Sequence, residues 1–428
     1  MAERIIFHID VNNAFLSWTA VQLLEEGYNI DIRKIPAIIA GDESKRHGIV
    51  LAKSPIAKKY GIVTAETIYQ AKMKCPNLKI FSPNHEIYQR KSKQLMDYLK
   101  TFTPIMEQFS IDECFLDMTG TKYLYANYLE LAYKIKDEIR EKFGFTVNVG
   151  IGNNKLCAKM ASDFEKPDKV HMLLRSEIKE KLWPLPVKDL FMCGKKTSIE
   201  LNKMNIYTIK DLAEFDFQKL EKKFKSQAKY LKQAAWGIDE SKVEERKDKR
   251  QSISTTRTLP HDEENSEKLK EVLFMQTEDV CRQLREKNLY ASTIAIIYKD
   301  KYFKSTTVQE QLENVTDNTK EILKKINSLF EKSYNNIPVR LIGVRLANLT
   351  EFKNTQVSLF DIESDDNSKE ESIQKTIDKI NKKYRDMADN FSADIEKDDS
   401  VNTTLAFVDL DQRGERSFSF YRKNTADY

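Results

Sequence analysis

Residues 108–120 read QFSIDECFLDMTG and set two adjacent carboxylates, Asp112 and Glu113, between apolar, strand-like neighbours. Successive side chains of a strand point to opposite faces. One acid of the pair is therefore aimed at a core, unless a turn falls at the pair and breaks the alternation. A buried, unpaired carboxylate is strongly unfavourable or becomes protonated. A fold built on this segment must supply either solvent at a hairpin tip or a compensating positive charge.

The chain has 428 residues, more than one core ordinarily serves, so two to four domains are expected. Its 70 basic and 66 acidic residues leave a net charge of only +4. A basic surface for nucleic acid would have to be local. Cys75, Cys114, Cys157, Cys193 and Cys281 form no C-x-x-C, which argues against a disulfide framework or a zinc site. The histidines form no H-x-x-x-H pair and read as scattered core and surface residues. No apolar run approaches the ~18 residues of a membrane span. The N-terminal MAERIIFHID enters a strand without a signal-peptide pattern. A reduced, cytoplasmic protein with no membrane association is expected.

Residues 4–10 read as a strand ending in Asp10, followed by a helix over 14–27 that stops at Gly27. Strands are expected over 35–41 and 48–54, and a helix from SPIAKKYGI with Ser54 as N-cap and Pro55 at its first position. An amphipathic helix covers 85–102, and two short strands flank the acidic tip at 112–113. A helix (128–144), a strand (145–154) and a helix (155–164) follow. Residues 175–236 read as helices only. The charged stretch 241–254 reads as linker, and 252–350 as a second α+β unit. From about 361 the chain is acidic and polar, as in a weakly ordered tail.

Asp10 ends the first strand, and Asp112 and Glu113 sit at a hairpin tip. Three carboxylates converging at strand ends can bind two Mg²⁺ ions roughly 3.5–4 Å apart, which would remove the burial penalty. Residue spacing alone supports a metal-dependent phosphoryl-transfer domain, with a solvated acidic turn as the alternative.

The runs IDVNNAF (9–15), SIDECFLD (110–117) and GIGNNKLCAKMASDFEKPD (150–168), in this order, resemble the Y-family translesion DNA polymerases, in particular bacterial DNA polymerase IV of the Gram-positive type. The resemblance spans about residues 3–350. It implies an α+β multidomain fold, a right hand of palm, fingers and thumb plus a little-finger domain. Carried onto this chain, the palm is 1–10 and 77–165, the fingers 11–76, the helical thumb 166–240, the linker 241–251, the little finger 252–350 and the tail 351–428. The implied activity is template-directed DNA synthesis with low fidelity, low processivity and no proofreading. The implied substrates are primer-template DNA and dNTP, with two Mg²⁺ as cofactors and a monomeric state.

The resemblance assigns Asp10, Asp112 and Glu113 as metal-binding, catalytic carboxylates and the Val11 carbonyl as a further ligand. Phe15 falls at the steric-gate position, where an aromatic ring under the sugar excludes a 2′-hydroxyl. From position alone, Phe15 reads as a core residue of the first helix. Lys159 and Lys58 match triphosphate contacts, with Lys53 as a possible substitute. Many relatives carry Y-x-A-R where this chain has Pro55-Ile56-Ala57-Lys58, which lacks the hydroxyl and arginine's fork.

MCGKKTSIEL (192–201) resembles the thumb helix–hairpin–helix, with Gly194 in the turn and Lys195 and Lys196 toward phosphate. Arg257, Lys299 and Lys301 are candidate DNA contacts in the little finger. QVSLF (356–360) resembles the peptide by which bacterial polymerases grip the sliding clamp, through Gln356, Leu359 and Phe360. The final NTTLAFVDLDQRGERSFSFYRKNTADY (402–428) reads as a β-hairpin around QRGE and resembles a fragment of ribokinase-like fructokinases. No activity is expected of it, and a gene fusion or misjoined frame is its expected origin. Two other readings remain: a nucleotide cyclase with a similar palm, and a catalytically weak DNA- and clamp-binding accessory protein.

Overall fold

Every residue of β1 (Ile6–Val11) is buried, and the strand forms the spine of the first sheet. A computed structural model of the chain describes residues 4–41, 48–245, 251–352 and 376, and the backbone of 405–410 and 416–421. The chain divides into two units, 1–249 and 250–428.

In the first unit, α1 (Ala14–Glu25) follows β1 directly. Asn13 enters it in left-handed backbone, φ 53°, which asparagine tolerates better than most residues. β2 (Ala37–Ala40) and β3 (Val50–Lys53) pair antiparallel. Ser54 Oγ then accepts from the Ala57 N–H and caps α2 (Pro55–Lys59), as the SPIAKKYGI stretch predicts. α3 (Ile68–Lys74) and β4 (Lys79–Phe81) complete a small lobe, in which β4 runs parallel to β2. Neither is legible in the sequence, because elements this short show too little periodicity.

Next come α4 (His85–Leu99), β5 (Met106–Gln108), β6 (Glu113–Asp117) and α5 (Tyr128–Phe143). β7 (Val147–Gly152), α6 (Lys155–Asp163) and β8 (Val170–Leu173) close a five-stranded sheet of order β5-β6-β1-β7-β8. β8, unforeseen in the sequence, is four residues long and runs parallel to β7.

The alternation of β1 divides this sheet into two unlike faces. Phe7, Ile9 and Val11 pack with Trp18, Tyr88, Leu95, Ile135 and other residues of α1, α4 and α5. His8 and Asp10 look the other way, with Gly150 opposite His8 and Asn148 opposite Asp10 on β7. α6 covers this second face at backbone contact. A Cβ on Gly150 would lie 2.0 Å from the Ala158 carbonyl oxygen, and one on Gly152 2.4 Å from the Ala158 nitrogen. The G-x-G of GIGNN therefore lets a helix lie against a strand. Gly150→Ala is expected to lower stability by about 3 kcal/mol or more, because backbone, not a side chain, must give way. An unchanged urea midpoint would contradict the close approach.

α7 (Lys195–Lys203), α8 (Ile209–Glu214), α9 (Phe217–Phe224) and α10 (Gln227–Ala235) enclose their own core of Leu182, Leu201, Leu212 and Leu231. The chain then returns to the sheet. Asn154 Nδ2 donates to the Gly237 carbonyl at 2.8 Å, and the Leu156 N–H to Asp239 at 3.1 Å. Val243 is buried with Ile6, Phe115 and Ala158, so the start of the expected linker is packed.

The second unit runs β9 (Ser252–Glu263), α11 (Ser266–Glu286), β10 (Tyr290–Asp300), β11 (Ser305–Thr316), α12 (Thr319–Ser333) and β12 (Val339–Thr350). Its antiparallel sheet has the order β11-β10-β12-β9, with α11 and α12 on one face over Leu269, Val280, Ile326 and Ile342. β13 (Leu405–Leu410) and β14 (Arg416–Tyr421) pair antiparallel, as the hairpin reading expects, and the QRGE turn lies outside the described residues. Among the described residues no helix is long and apolar enough to cross a membrane.

Candidate active site

The register of three strands builds the site. Glu113 on β6 stands opposite Asp10 on β1, and Asn148 on β7 stands opposite Asp10 from the other side. Asp112 precedes β6, and its carbonyl accepts from the Val11 N–H at 3.0 Å. The alternation does break at the acidic pair, because Asp112 belongs to the turn and Glu113 to the strand. Asp10, Val11, Asp112 and Glu113 thus share one end of β1 and β6.

Four basic groups meet these acids, or fail to. Lys159, on α6, lies 2.8 Å from Glu113 and 3.7 Å from Asp10. Lys166 is ion-paired with Asp10 and, at 2.8 Å, with Asp163. His8 Nε2 lies 3.1 Å from Glu113, and its Nδ1 lies 2.8 Å from Ser162 Oγ. Burial lowers the pKa of His8, so the neutral ring is favoured. Nε2–H then donates to Glu113, and Nδ1 lies against Ser162 Oγ, whose single proton is also directed at the Lys159 carbonyl at 2.7 Å. Lys58 is exposed on α2 and meets none of the acids, although it is close enough to Lys53 to help lower that pKa, after burial.

Burial opposes the charge of Glu113, but hydrogen bonds from His8 and Lys159 outweigh it and hold the carboxyl down to about 2. Asp112 behaves oppositely. Burial raises its pKa, and Asp10 and Glu113 raise it further against a 2.6 Å hydrogen bond from Ser110. Repulsion among the acids is therefore not fully relieved by the two lysines. Among the described residues no three His, Cys, Asp or Glu side chains converge as a ready metal cage, because Asp10 and Glu113 are turned onto ammonium groups. The donor set still fits a hard divalent cation: it is all oxygen and carries excess negative charge.

The residues 9–163 match the impB/mucB/samB family, and 250–359 match the C-terminal domain of the same family. DNA polymerase IV of Clostridium acetobutylicum is 43% identical over 397 residues, covering 93% of this chain and 100% of that protein. The chain belongs to the Y-family DNA polymerases, in the DNA polymerase IV group. DNA polymerase IV 1 of Bacillus subtilis is 34% identical, over 95% of this chain and 96% of that protein. A Y-family DNA polymerase chimera superposes with a TM-score of 0.70 at 24% identity, over 80% of this chain and 98% of that one, which supports the fold. Y-family DNA polymerases are metal-dependent enzymes, in keeping with the oxygen donors of this site.

The Phe15 ring of this Y-family chain is half-buried and stacks on Tyr88, with centroids 4.6 Å apart and planes at 20°. Tyr88 is fully buried and its hydroxyl meets Thr19 at 3.0 Å. Asn13 Nδ2 donates to the Lys53 carbonyl at 2.7 Å and so ties β3 to the start of the Phe15 helix. Gly194, Lys195 and Lys196 are exposed at the start of α7. Gly194 has φ −68°, which any residue adopts, and a Cβ there meets nothing. The left-handed residue of that turn is Met192, φ 64°.

In the second unit Arg257 stands opposite Ile342, on the helix-covered side of β9, and Arg345 stands on the open side opposite Ser254. Gln356, Leu359 and Phe360 lie outside the described residues.

Two groups at the site escape the sequence reading. His8 passes for a core histidine, but it lies two residues before Asp10, and period-2 alternation already puts both on one face. Lys166 sits in the quoted EKPD motif, yet nothing local reveals that it reaches Asp10.

Proposed function

We propose that the chain is a low-fidelity, template-directed DNA polymerase of translesion repair, working by two-metal nucleotidyl transfer. The observation that carries this is the placement of Asp10, Asp112 and Glu113 at one end of β1 and β6, with Lys159 and Lys166 paired to Asp10 and Glu113. Two Mg²⁺ ions, when bound, would activate the primer 3′-hydroxyl for attack on the α-phosphorus and stabilise the leaving pyrophosphate. Asp10, Asp112, Glu113 and the Val11 carbonyl are the groups to hold them. His8 orients Glu113. Lys159 and Lys166, released from the acids, turn to the triphosphate and neutralise charge moving onto pyrophosphate. Phe15 lies under the sugar.

In this reading residues 1–10 and 77–165 are the palm, 11–76 the fingers, 166–240 the thumb, 241–251 the linker and 252–350 the little finger. Primer-template DNA is held by Gly194, Lys195 and Lys196 at the α7 start. It is also held by the open face of the second sheet, where Ser252, Ser254, Thr256, Gln309 and Arg345 are exposed. A hydroxyl- and amide-rich face suits sequence-independent phosphate contact. Primer extension with Mg²⁺ and dNTPs, on undamaged and abasic templates, tests the proposal. Synthesis past the abasic site supports it, and a folded, DNA-binding protein that makes no product refutes it.

Lys58 belongs to the fingers side of the nucleotide site. Lys58→Ala is expected to raise the KM for dNTP about fivefold, the scale of one exposed charge contact. An unchanged KM would remove Lys58 from the site. The chain also binds the sliding clamp through 356–360, a reading supported by the Q-x-x-L-F pattern. Deleting 356–360 is expected to abolish clamp-stimulated synthesis and leave basal synthesis intact. Equal stimulation after deletion would contradict it.

A further inference from the structure

Behind the acidic row lies a pair of buried amides that the chemistry above does not use. Asn148 is fully buried, and Asn12, just past β1, is 9% exposed. Asn12 Nδ2 donates to Asn148 Oδ1 at 3.0 Å. Asn148 Nδ2 donates to the carbonyls of Ser162 at 2.9 Å and Glu165 at 2.6 Å. Its Oδ1 also accepts from the Lys169 N–H at 3.3 Å, and Asn12 Oδ1 accepts from the Asp168 N–H at 2.9 Å. The four strongest hydrogen-bonding directions of the Asn148 amide are therefore all taken.

These bonds grip one segment, the connection from the end of α6 to β8, on either side of Lys166. Ser162 and Glu165 are held before it, and Asp168 and Lys169 after it. On its outer side Asp168 is also ion-paired with Lys136 at 3.1 Å and Arg140 at 2.8 Å. Both amides are neutral, so their bonds do not change when charge enters or leaves the site. We propose that Asn12 and Asn148 are positioning residues, a latch that fixes the 164–169 connection so that Lys166 can exchange Asp10 for a nucleotide phosphate without the backbone moving. This rests on the reading of Lys166 as a phosphate contact given above.

A purely structural amide pair would affect stability but not nucleotide binding, so the test compares the two. Asn12→Ala, Lys166→Gln and the double variant are assayed in single-nucleotide insertion, with primer-template affinity measured separately without dNTP. Asn12→Ala is chosen because it leaves the Asn148 bonds to Ser162 and Glu165 in place. The latch predicts that Asn12→Ala raises the KM for the correct dNTP about tenfold, with little change in kcat or DNA affinity. It also predicts that the double variant exceeds Lys166→Gln by no more than about twofold, because the two act as one unit. Fully additive effects, or an unchanged KM in Asn12→Ala, would overturn it. An unchanged KM in Lys166→Gln would overturn it too, while continued synthesis would leave the polymerase reading standing. Amide hydrogen exchange of residues 165–169 reads the latch without catalysis. Protection there should fall in Asn12→Ala, and unchanged protection would refute the latch even if the wild type made no product.

Discussion

Asp112→Asn should reduce nucleotide insertion by about a thousandfold or more while leaving the protein at least as stable as the wild type. The size follows from losing a charged metal ligand, worth several kcal/mol in the transition state, at ~1.4 kcal/mol per factor of ten. The second half follows from the electrostatics of the free site. Asp112 carries a raised pKa because burial and then its like-charged neighbours disfavour its charge. Removing that charge relieves repulsion instead of breaking an ion pair. Glu113→Gln should separate from it. Glu113 accepts from His8 and Lys159, and its carboxyl is held down to about 2 from an ordinary 4.5. A depressed carboxylate stabilises the fold above its unfolded pKa, and that contribution is lost as the pH falls toward the folded value. Glu113→Gln should therefore lose both activity and stability at neutral pH. Thermal denaturation beside single-nucleotide insertion checks the pair. An active Asp112→Asn would contradict the assignment of the site.

Phe15→Ala should raise the use of ribonucleotides relative to deoxynucleotides by about a hundredfold, the range over which a pocket can reject one added hydroxyl. The rigidity of the ring makes a large effect reasonable. Phe15 stacks on Tyr88, which is itself buried and hydrogen-bonded to Thr19, so one face of the ring is backed by a fixed partner. The same stack means that the substitution also removes packing, and stability should fall by about 2 kcal/mol. Competitive insertion of a ribonucleotide against its deoxy counterpart measures the ratio. An unchanged ratio in the folded variant would leave Phe15 a core residue only.

The acidic row was legible because its signal is local. Asp10 ends an apolar strand, and Asp112 and Glu113 interrupt an alternating one. α6 was legible from its apolar pattern, and the capping of α2 from Ser54 and Pro55. What escaped the sequence depends on partners far along the chain. Lys166 meets Asp10 across 156 positions, and Asn148 grips a connection that no periodicity marks. β11 escaped for another reason: STTVQEQLENVT is an edge strand with one exposed, polar face, so few of its residues carry a hydrophobic signal. Gly194, expected in the tight turn, stands at the N-cap of α7 with φ −68°, and the positive φ of that turn falls on Met192, which no sequence signal marks.

Asp10 and Glu113, now held by Lys159 and Lys166, are proposed to bind two divalent cations for DNA synthesis together with Asp112. The most direct measurement is single-nucleotide insertion on a primer-template by chelator-treated wild-type protein, titrated with Mg²⁺, beside Asp10→Asn. Insertion should be absent without the cation, should rise with Mg²⁺ more steeply than one ion per site would give, and should not be recovered by Asp10→Asn at any Mg²⁺ concentration. Insertion by the metal-free protein, or wild-type rates from Asp10→Asn, would contradict the two-cation assignment.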